Sequence, residues 1–525
     1  MIILGIGGVL SEAAAALLVD GELAAAVEQR KITRTHKPGT LPAEAIEECL
    51  RAAGVKAEQV DCAALVRPIG TGADAGLHLE LDARFPNAEV ILVDHHVAHA
   101  ASCFFASPFE EATVLTLDRG GDLRCGARWH GLGNALRLDK ELYFPNSLGE
   151  LYSRVTAFLG YTPNADEHKV KWLSAWGDDK HTKLFLEMMS MRDGEWPRID
   201  RSYFDSHRMT NGGFSEKFYR RLGLEDGAEV SEKQRPDIAA GLQRAVEKAV
   251  VRMAGKARNV CVAGGLALNA MLVAALESAF GGDNVYVQSA AGNAGTALGA
   301  VFHAWHEVFK KARRPGAGNL CLGPSFDPEA VKQVLENCKL RATYLRTTAE
   351  LIDTAVGELN ENKIIAWMQG RMEFGPRALG NRSILASPKD PYSTENLNIY
   401  IKRREPFRKF AASVPAEETA KYFEVGPNAR FLATLGRVLP AHRKAFEPAI
   451  LGNDLVRVHT VYREDNGLYW QLLHAAGKAT GLPVLYNTSF NLFGDPLVCS
   501  PRDAVRSFYS SGIDAMIVGN FILRK

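Results

Sequence analysis

Residues 112–143 read ATVLTLDRGGDLRCGARWHGLGNALRLDKELY, and their reading decides the fold. The apolar run VLTLD ends at a turn, Arg119-Gly120-Gly121-Asp122; LRCGARW returns, and Leu136 to Tyr143 makes a third run. Alternating apolar runs broken by glycine and aspartate are the pattern of a three-stranded meander. The chain begins in the same way. Met1 to Gly8 is an apolar run ending in glycines, Ala14 to Val19 follows a short turn, and Glu22 to Glu28 returns after the hairpin signal Asp20-Gly21. Two meanders, each with a glycine turn after its first strand, point to duplicated halves facing a shared phosphate across a cleft. Two unrelated hairpins are the plainer alternative, since the repeat is weak in sequence identity.

Working outward, Pro42 to Ala53 has apolar residues at helical spacing, Cys62 to Val66 reads as a strand, and VILVD ends at Asp94 as another. A long amphipathic helix over Ala239 to Ala254 leads into NVCVAGGLALNA, which is a strand, a Gly-Gly turn and a helix start. NVYVQ and AGNAGTALGA follow, and this alternation implies an α/β domain. The loop from Lys311 to Pro328, with RRPGAG and GPSFDP, reads as the boundary region. A helix from Pro328 to Asn337 and one further strand finish the linker, which sets the expected domains at 1–345 and 346–525.

A chain of 525 residues exceeds one ordinary core, so two domains are expected. Its 46% hydrophobic and 23% charged residues are the balance of a soluble globular protein. A formal net charge of +1 argues against a general polyanion binder while leaving room for a local basic site. No apolar run approaches the roughly 20 residues that span a bilayer. The start, MIILGIGG, lacks a basic n-region and reads as a strand rather than a signal peptide. The cysteines form no CxxC pair, so a zinc knuckle or disulfide framework is not indicated, and a cytoplasmic location is expected.

Three stretches carry chemistry. VDHHVAHAAS places His95 and His99 four residues apart after a strand end, on one helix face where they can share a metal. Asp118, ending VLTLD, can add a carboxylate, while His96 reads as a polar neighbour. AGGLALN (Gly264, Gly265, Asn269) and AGNAGTALGA (Gly292, Gly295) are glycine turns before helices, whose free N–H groups suit a phosphate. Tight packing explains such glycines equally well. The C-terminal part is richest: GRMEFGPRALGNRS holds Arg371, Arg377 and Arg382, and IKRREPFRKF holds Lys402, Arg403, Arg404 and Arg408. YNTSFN adds Asn487, Ser489 and Asn491 on a loop after the strand LPVLY. Arginine forks and amides of this kind bind phosphates and small polar groups.

These motifs, with FPNSLGELYSRVTAFLGY and LPVLYNTSFNLFGDPLVCSPRDA, resemble the carbamoyltransferases of nodulation-factor, cephamycin and aminoglycoside pathways over nearly the whole chain. The resemblance implies a ribonuclease-H-like, actin-type N-terminal domain, duplicated, and a YrdC-like α/β C-terminal domain. It further implies that the C-terminal domain makes carbamoyl adenylate from carbamoyl phosphate and ATP, and that the N-terminal domain transfers the carbamoyl group to a hydroxyl. Carried over by position, His95, His99 and Asp118 match metal ligands, usually of iron(II), with Mg2+ accompanying ATP. Gly264, Gly265 and Asn269 match a nucleotide-binding loop, to which Gly292 and Gly295 are added. Arg377, Lys402, Arg404, Arg408, Arg457, Asn487, Ser489 and Asn491 match the surroundings of carbamoyl phosphate and ATP, with Arg377 and Lys402 in catalytic roles. The acceptor is a small hydroxylated metabolite and a homodimer is admitted.

Several positions depart from the family. Its His-His-Asp after the first strand is Leu10, Ser11 and Glu12 here, so Glu12 is a candidate replacement base while serine at the histidine position leaves that role open. Its fourth metal ligand, an aspartate, is Asn293 here, an uncharged amide that should lower the affinity for iron. Its Met-Gly pair is Lys171 and Trp172, and its His-x-Asp-Gly-Thr before Arg457 reads Leu451 to Leu455. Trp172, Trp176 and His168 are candidates for the acceptor pocket, although core packing is the simpler fate of the two tryptophans. Two other readings remain at this point: carbamoylation of a nucleic-acid hydroxyl, disfavoured by the near-neutral charge, and a nucleotide-binding regulatory protein that has lost catalysis.

Overall fold

The apolar runs pair as their alternation demands. In the computed structural model, which describes residues 1–67, 74–121, 123–191, 196–208, 211–313, 318–389, 391–492 and 494–525, β1 (Ile2–Gly7), β2 (Ala14–Val19) and β3 (Glu22–Glu28) form an antiparallel meander. β4 (Cys62–Val66) joins parallel to β1, and β5 (Glu89–Val93) parallel to β4, giving the order β3-β2-β1-β4-β5. The second meander, β6 (Glu111–Gly121), β7 (Arg124–Leu132) and β8 (Ala135–Tyr143), is extended in the same way. β9 (Val260–Ala263) lies parallel to β6 and β10 (Val285–Val287) parallel to β9, in the order β10-β9-β6-β7-β8. The connectivity is identical, so the halves are a true duplication with the ribonuclease-H-like, actin-type topology. Asp122 of the second turn and residues 314–317 of the expected linker lie outside the described residues.

Two helices knit the halves together by exchange. His95–Phe104, which ends the first half, packs on β6 and β9 of the second, and Thr296–His303 of the second packs on β1 and β2 of the first. The two helices also touch each other. A Cβ at Gly299 would lie 1.7 Å from the Ala98 carbonyl oxygen, so only glycine permits this crossing. The crossing delivers His95 and His99, one helical turn apart, to the end of β6.

The C-terminal domain is a ten-stranded mixed sheet whose central strands are Ile365–Met368, Arg382–Ala386, Leu485–Ser489, Ala411–Pro415 and Leu455–Val461, in that spatial order. Strand alternation feeds two cores. Ile365 and Trp367 face helices Thr348–Asn360 and Gly467–Thr480, while Ala366 and Met368 face Pro328–Asn337 and Pro501–Tyr509. Helix Pro328–Asn337 buries Val331 and Leu335 in the C-terminal core, and Thr343–Tyr344 pairs with the last strand, so the segment expected as linker packs with the C-terminal sheet. Among the described residues no helix is long and apolar enough to cross a membrane. The eight cysteines are free thiols, six of them buried.

Candidate functional site

The end of β6 and the start of helix His95–Phe104 build the first corner of the site. His95 Nε2 is 3.0 Å from Asp118 Oδ2, and His99 Nε2 is 3.3 Å from the same oxygen. The His99 ring is fully buried, yet neither of its nitrogens has a hydrogen-bond partner. An orphaned buried imidazole nitrogen beside a second imidazole and a carboxylate is a set of ligand atoms that could hold a divalent metal. Burial opposes ionisation of Asp118, but the two facing rings hold its pKa well below the usual carboxylate range. Burial and the neighbouring His95 push His99 down, which keeps it neutral and able to ligate. His96 turns away: Nδ1 meets Thr116 Oγ1 at 2.8 Å and Nε2 meets the Arg124 carbonyl at 3.0 Å. Asn293 stands beside the same corner, within reach of His99, and its amide donates to Ser11 Oγ at 2.8 Å.

The two glycine turns have different fates. At Gly264 the backbone adopts φ 98°, and a Cβ would strike the Leu117 carbonyl at 2.2 Å; the turn presses against β6 beside Asp118. Asn269 is a cap rather than a nucleotide arm, contrary to expectation. Its Oδ1 accepts from Met271 N and Leu272 N at the start of helix Ala270–Phe280, and its Nδ2 donates to Gln243 at 2.8 Å, so the side chain is consumed within the fold. At the second turn the chain supplies its own anion. Glu12 Oε2 accepts from Asn293 N at 3.0 Å and faces Gly292, while Gly295 packs against the Ala290 carbonyl. The turn from Gly292 to Ala294 therefore holds Glu12 where a phosphate was expected. Burial raises the Glu12 pKa, partly opposed by that backbone N–H.

The C-terminal arginines separate into two groups. Arg371 binds the carbonyls of Ala24 and Gly323, a strap between domains, and Arg382 is fully buried on the carbonyls of Gln369 and Pro324. Both are structural. Arg377, Lys402, Arg404, Arg408 and Arg457 instead converge. Arg377 reaches the Leu268 carbonyl at 3.2 Å, across the domain boundary. Lys402 Nζ is held by the carbonyls of Ser489 (2.8 Å) and Asn491 (2.9 Å) and by Asn491 Oδ1 (2.7 Å). Arg404 bonds Asn398 and Thr488, and Arg408 leans on Glu405 while its buried Nε has no partner. Asn487 backs the Arg377 loop through the Ala378 carbonyl at 3.1 Å, with its Oδ1 buried and unpartnered. Desolvation, with repulsion from neighbouring cations, depresses Lys402 and Arg457 well below their ordinary values and Arg404 to about 9. Arg377 falls to about 10 by desolvation. Cations that repel one another in a buried place are a receptacle for anions.

Sequence reading missed one member of this cluster. Lys171, noted only as a departure, is buried with its Nζ 3.0 Å from the Leu268 carbonyl that Arg377 also uses. Trp172 packs with Ala175, Leu435 and Leu451, so two departures from the family touch each other across the domains. Trp176 does not pack as expected: 48% exposed, it stands beneath Lys409. Neither tryptophan nor His168 lines the main cavity. Burial beside Arg408 and Lys171 depresses His168 to about 4.

A cavity of about 290 Å³ lies beside both groups, although neither the His95–His99–Asp118 corner nor the five cations line it. Ser11, Glu12, Gly292, Ala294 and Leu268 of the N-terminal half line it together with Gly375, Ser489 and Asn491 of the C-terminal half.

Known proteins agree with this division. The family described as Carbamoyltransferase N-terminus matches residues 75–302, and Carbamoyltransferase C-terminus matches 356–525. Nodulation protein NolNO of Sinorhizobium fredii is 32% identical over 98% of this chain and 79% of its own length. Nodulation protein NolO of Bradyrhizobium diazoefficiens is 33% identical over 82% of this chain and 79% of its own. The 3'-hydroxymethylcephem-O-carbamoyltransferase of Amycolatopsis lactamdurans is 34% identical over 32% of each chain. With both family halves matched in order over a duplicated N-terminal fold and a C-terminal cation pocket, the chain belongs to the carbamoyltransferase family.

Proposed function

We propose that this chain is an ATP-dependent O-carbamoyltransferase acting on a hydroxyl of a small metabolite. The observation that carries the reading is that the cavity beside Glu12 is lined by Leu268, Ser489 and Asn491, the residues that Lys171, Arg377 and Lys402 bond from behind. In the C-terminal domain, water would split carbamoyl phosphate into carbamate and phosphate, and a carbamate oxygen would attack the α-phosphorus of ATP. Pyrophosphate leaves and carbamoyl adenylate remains. Arg377, Lys402, Arg404, Arg408 and Arg457 neutralise the charge on the transferring and departing phosphates. Asn487, Ser489 and Asn491 shape the end that holds the carbamoyl group.

The acceptor hydroxyl then attacks the carbamoyl carbon, AMP leaves, and Glu12 takes the hydroxyl proton. A carboxylate with a raised pKa, desolvated and facing the cavity, suits that task. His95, His99 and Asp118, with the Asn293 amide, would hold a divalent metal, iron(II) by family resemblance, whose chemistry is to polarise the carbamoyl adenylate. A hydroxyl acceptor is supported by the cephem transferase, whose name states an O-carbamoylated hydroxymethyl group. We place the reaction in the cytoplasm, in keeping with buried free thiols.

The test is direct. Folded protein with ATP and carbamoyl phosphate, and no acceptor, is expected to release pyrophosphate and form AMP-linked product. Folded protein that releases none under these conditions would overturn the proposal.

A further inference from the structure

The cation pocket contains a group from the wrong domain. Lys171 lies on helix Glu167–Leu173 of the N-terminal domain, and its side chain is buried. Its ammonium has three donors, and the acceptor recorded for it is the Leu268 carbonyl, which it shares with the Arg377 guanidinium. The charged groups facing it are Arg377, Arg457 and Arg408, all positive. The carboxylates bordering the cluster, Asp166 and Glu405, are both engaged by Lys169, at 3.2 Å and 3.0 Å, and Glu405 also meets Arg408 at 3.4 Å. The Trp172 ring lies against Lys171 (4.6 Å) and Arg457 (5.1 Å), a partial relief at best.

An ammonium buried among like charges costs several kcal/mol unless an anion arrives. A single carboxylate cannot balance Lys171, Arg377, Arg408 and Arg457 together, whereas a chain of phosphates can. Any anion touching both Lys171 and Arg457 also spans the two domains. We infer that Lys171 is a direct ligand of the polyphosphate, so that the activation site is composite and is completed by the N-terminal domain. This rests on the phosphate-binding role proposed above for the C-terminal cations.

Two sources share this chemistry: the phosphate chain of ATP and the released pyrophosphate. Desolvation and the three arginines depress the Lys171 pKa well below the usual lysine value, so the free site gives up its proton at unusually low pH. A bound polyanion reverses that, and binding should draw protons from the buffer. Calorimetric titration of the full chain with inorganic pyrophosphate, and separately with a non-hydrolysable ATP analogue, in two buffers of different ionisation enthalpy reads both effects. Wild type is expected to bind pyrophosphate with proton uptake. Lys171→Met and Lys171→Gln should weaken binding at least about tenfold and lose part of the uptake, with thermal unfolding close to that of wild type because the free site holds Lys171 without its proton. If only the ATP analogue shows these changes, the triphosphate is the ligand; if both do, the β- and γ-phosphate end is. Folded variants that bind both within twofold of wild type, with unchanged uptake, overturn the inference and leave the carbamoyltransferase proposal standing. Pyrophosphate release lost from wild type itself would instead overturn that proposal.

Discussion

At the scale of single residues, chemistry decides which polar groups are free to act. Glu373 shows the opposite case. Fully buried, its Oε1 accepts from the backbone N–H groups of Leu379 (2.8 Å), Asn381 (2.8 Å) and Arg382 (3.1 Å), and so folds the loop that carries Arg377. Glu373→Ala leaves those donors without an acceptor in a dry place. We expect a loss of at least about 3 kcal/mol in denaturant unfolding, together with weakened pyrophosphate binding as Arg377 drifts; a loss below about 1 kcal/mol would contradict this role. The same logic separates what was legible from what was not. His95, His99 and Asp118 were readable because i,i+4 spacing on a helix and a strand end are local facts. Asn269 was misread because an asparagine that caps a helix and one that binds a nucleotide look alike until the first helical residue is known.

At the scale of elements, the exchange of helices between halves is the device that brings His95 and His99 to Asp118. Gly299 lets helix Thr296–His303 approach Ala98, the residue before His99. Gly299→Ala forces the helices apart, and overpacking of this kind costs about 1–3 kcal/mol. We expect lower thermal stability and loss of divalent metal, measured as metal-to-protein ratio after gel filtration following loading. A variant that retains metal as wild type does would show that the crossing does not position His99. The duplication was legible as two glycine-turned meanders, since period-two alternation fixes strands and their faces. Its completion by β4–β5 and β9–β10 was not, because parallel pairing joins segments far apart in the chain.

Across the whole molecule, domain packing sets the relation between activation and transfer. Lys31, on the segment after the first meander, donates to the carbonyls of Glu373 (2.9 Å) and Gly375 (2.7 Å) and pairs with Glu28 at 2.8 Å, while Gly375 N returns a bond to Glu28. This latch closes one side of the cavity. Lys31→Met should leave pyrophosphate release nearly intact and lower carbamoyl product per pyrophosphate several-fold, with faster limited proteolysis at the domain junction. Equal losses in both yields would mean that Lys31 only supports folding.

The sequence by itself determined the α/β class, the duplicated meanders, the juxtaposition of His95 and His99, and Arg377, Lys402, Arg404 and Arg408 as candidate phosphate ligands, because each follows from periodicity, helical spacing or residue chemistry over a short span; Arg457 entered only through the family resemblance. Only the tertiary structure decided that Arg371 and Arg382 are straps, that Glu12 fills a helix terminus, and that Lys171 enters the pocket from the other domain. The reason is physical. Whether a charged side chain binds a ligand or a carbonyl of its own chain depends on which distant backbone it is buried against, and no local pattern encodes that neighbour.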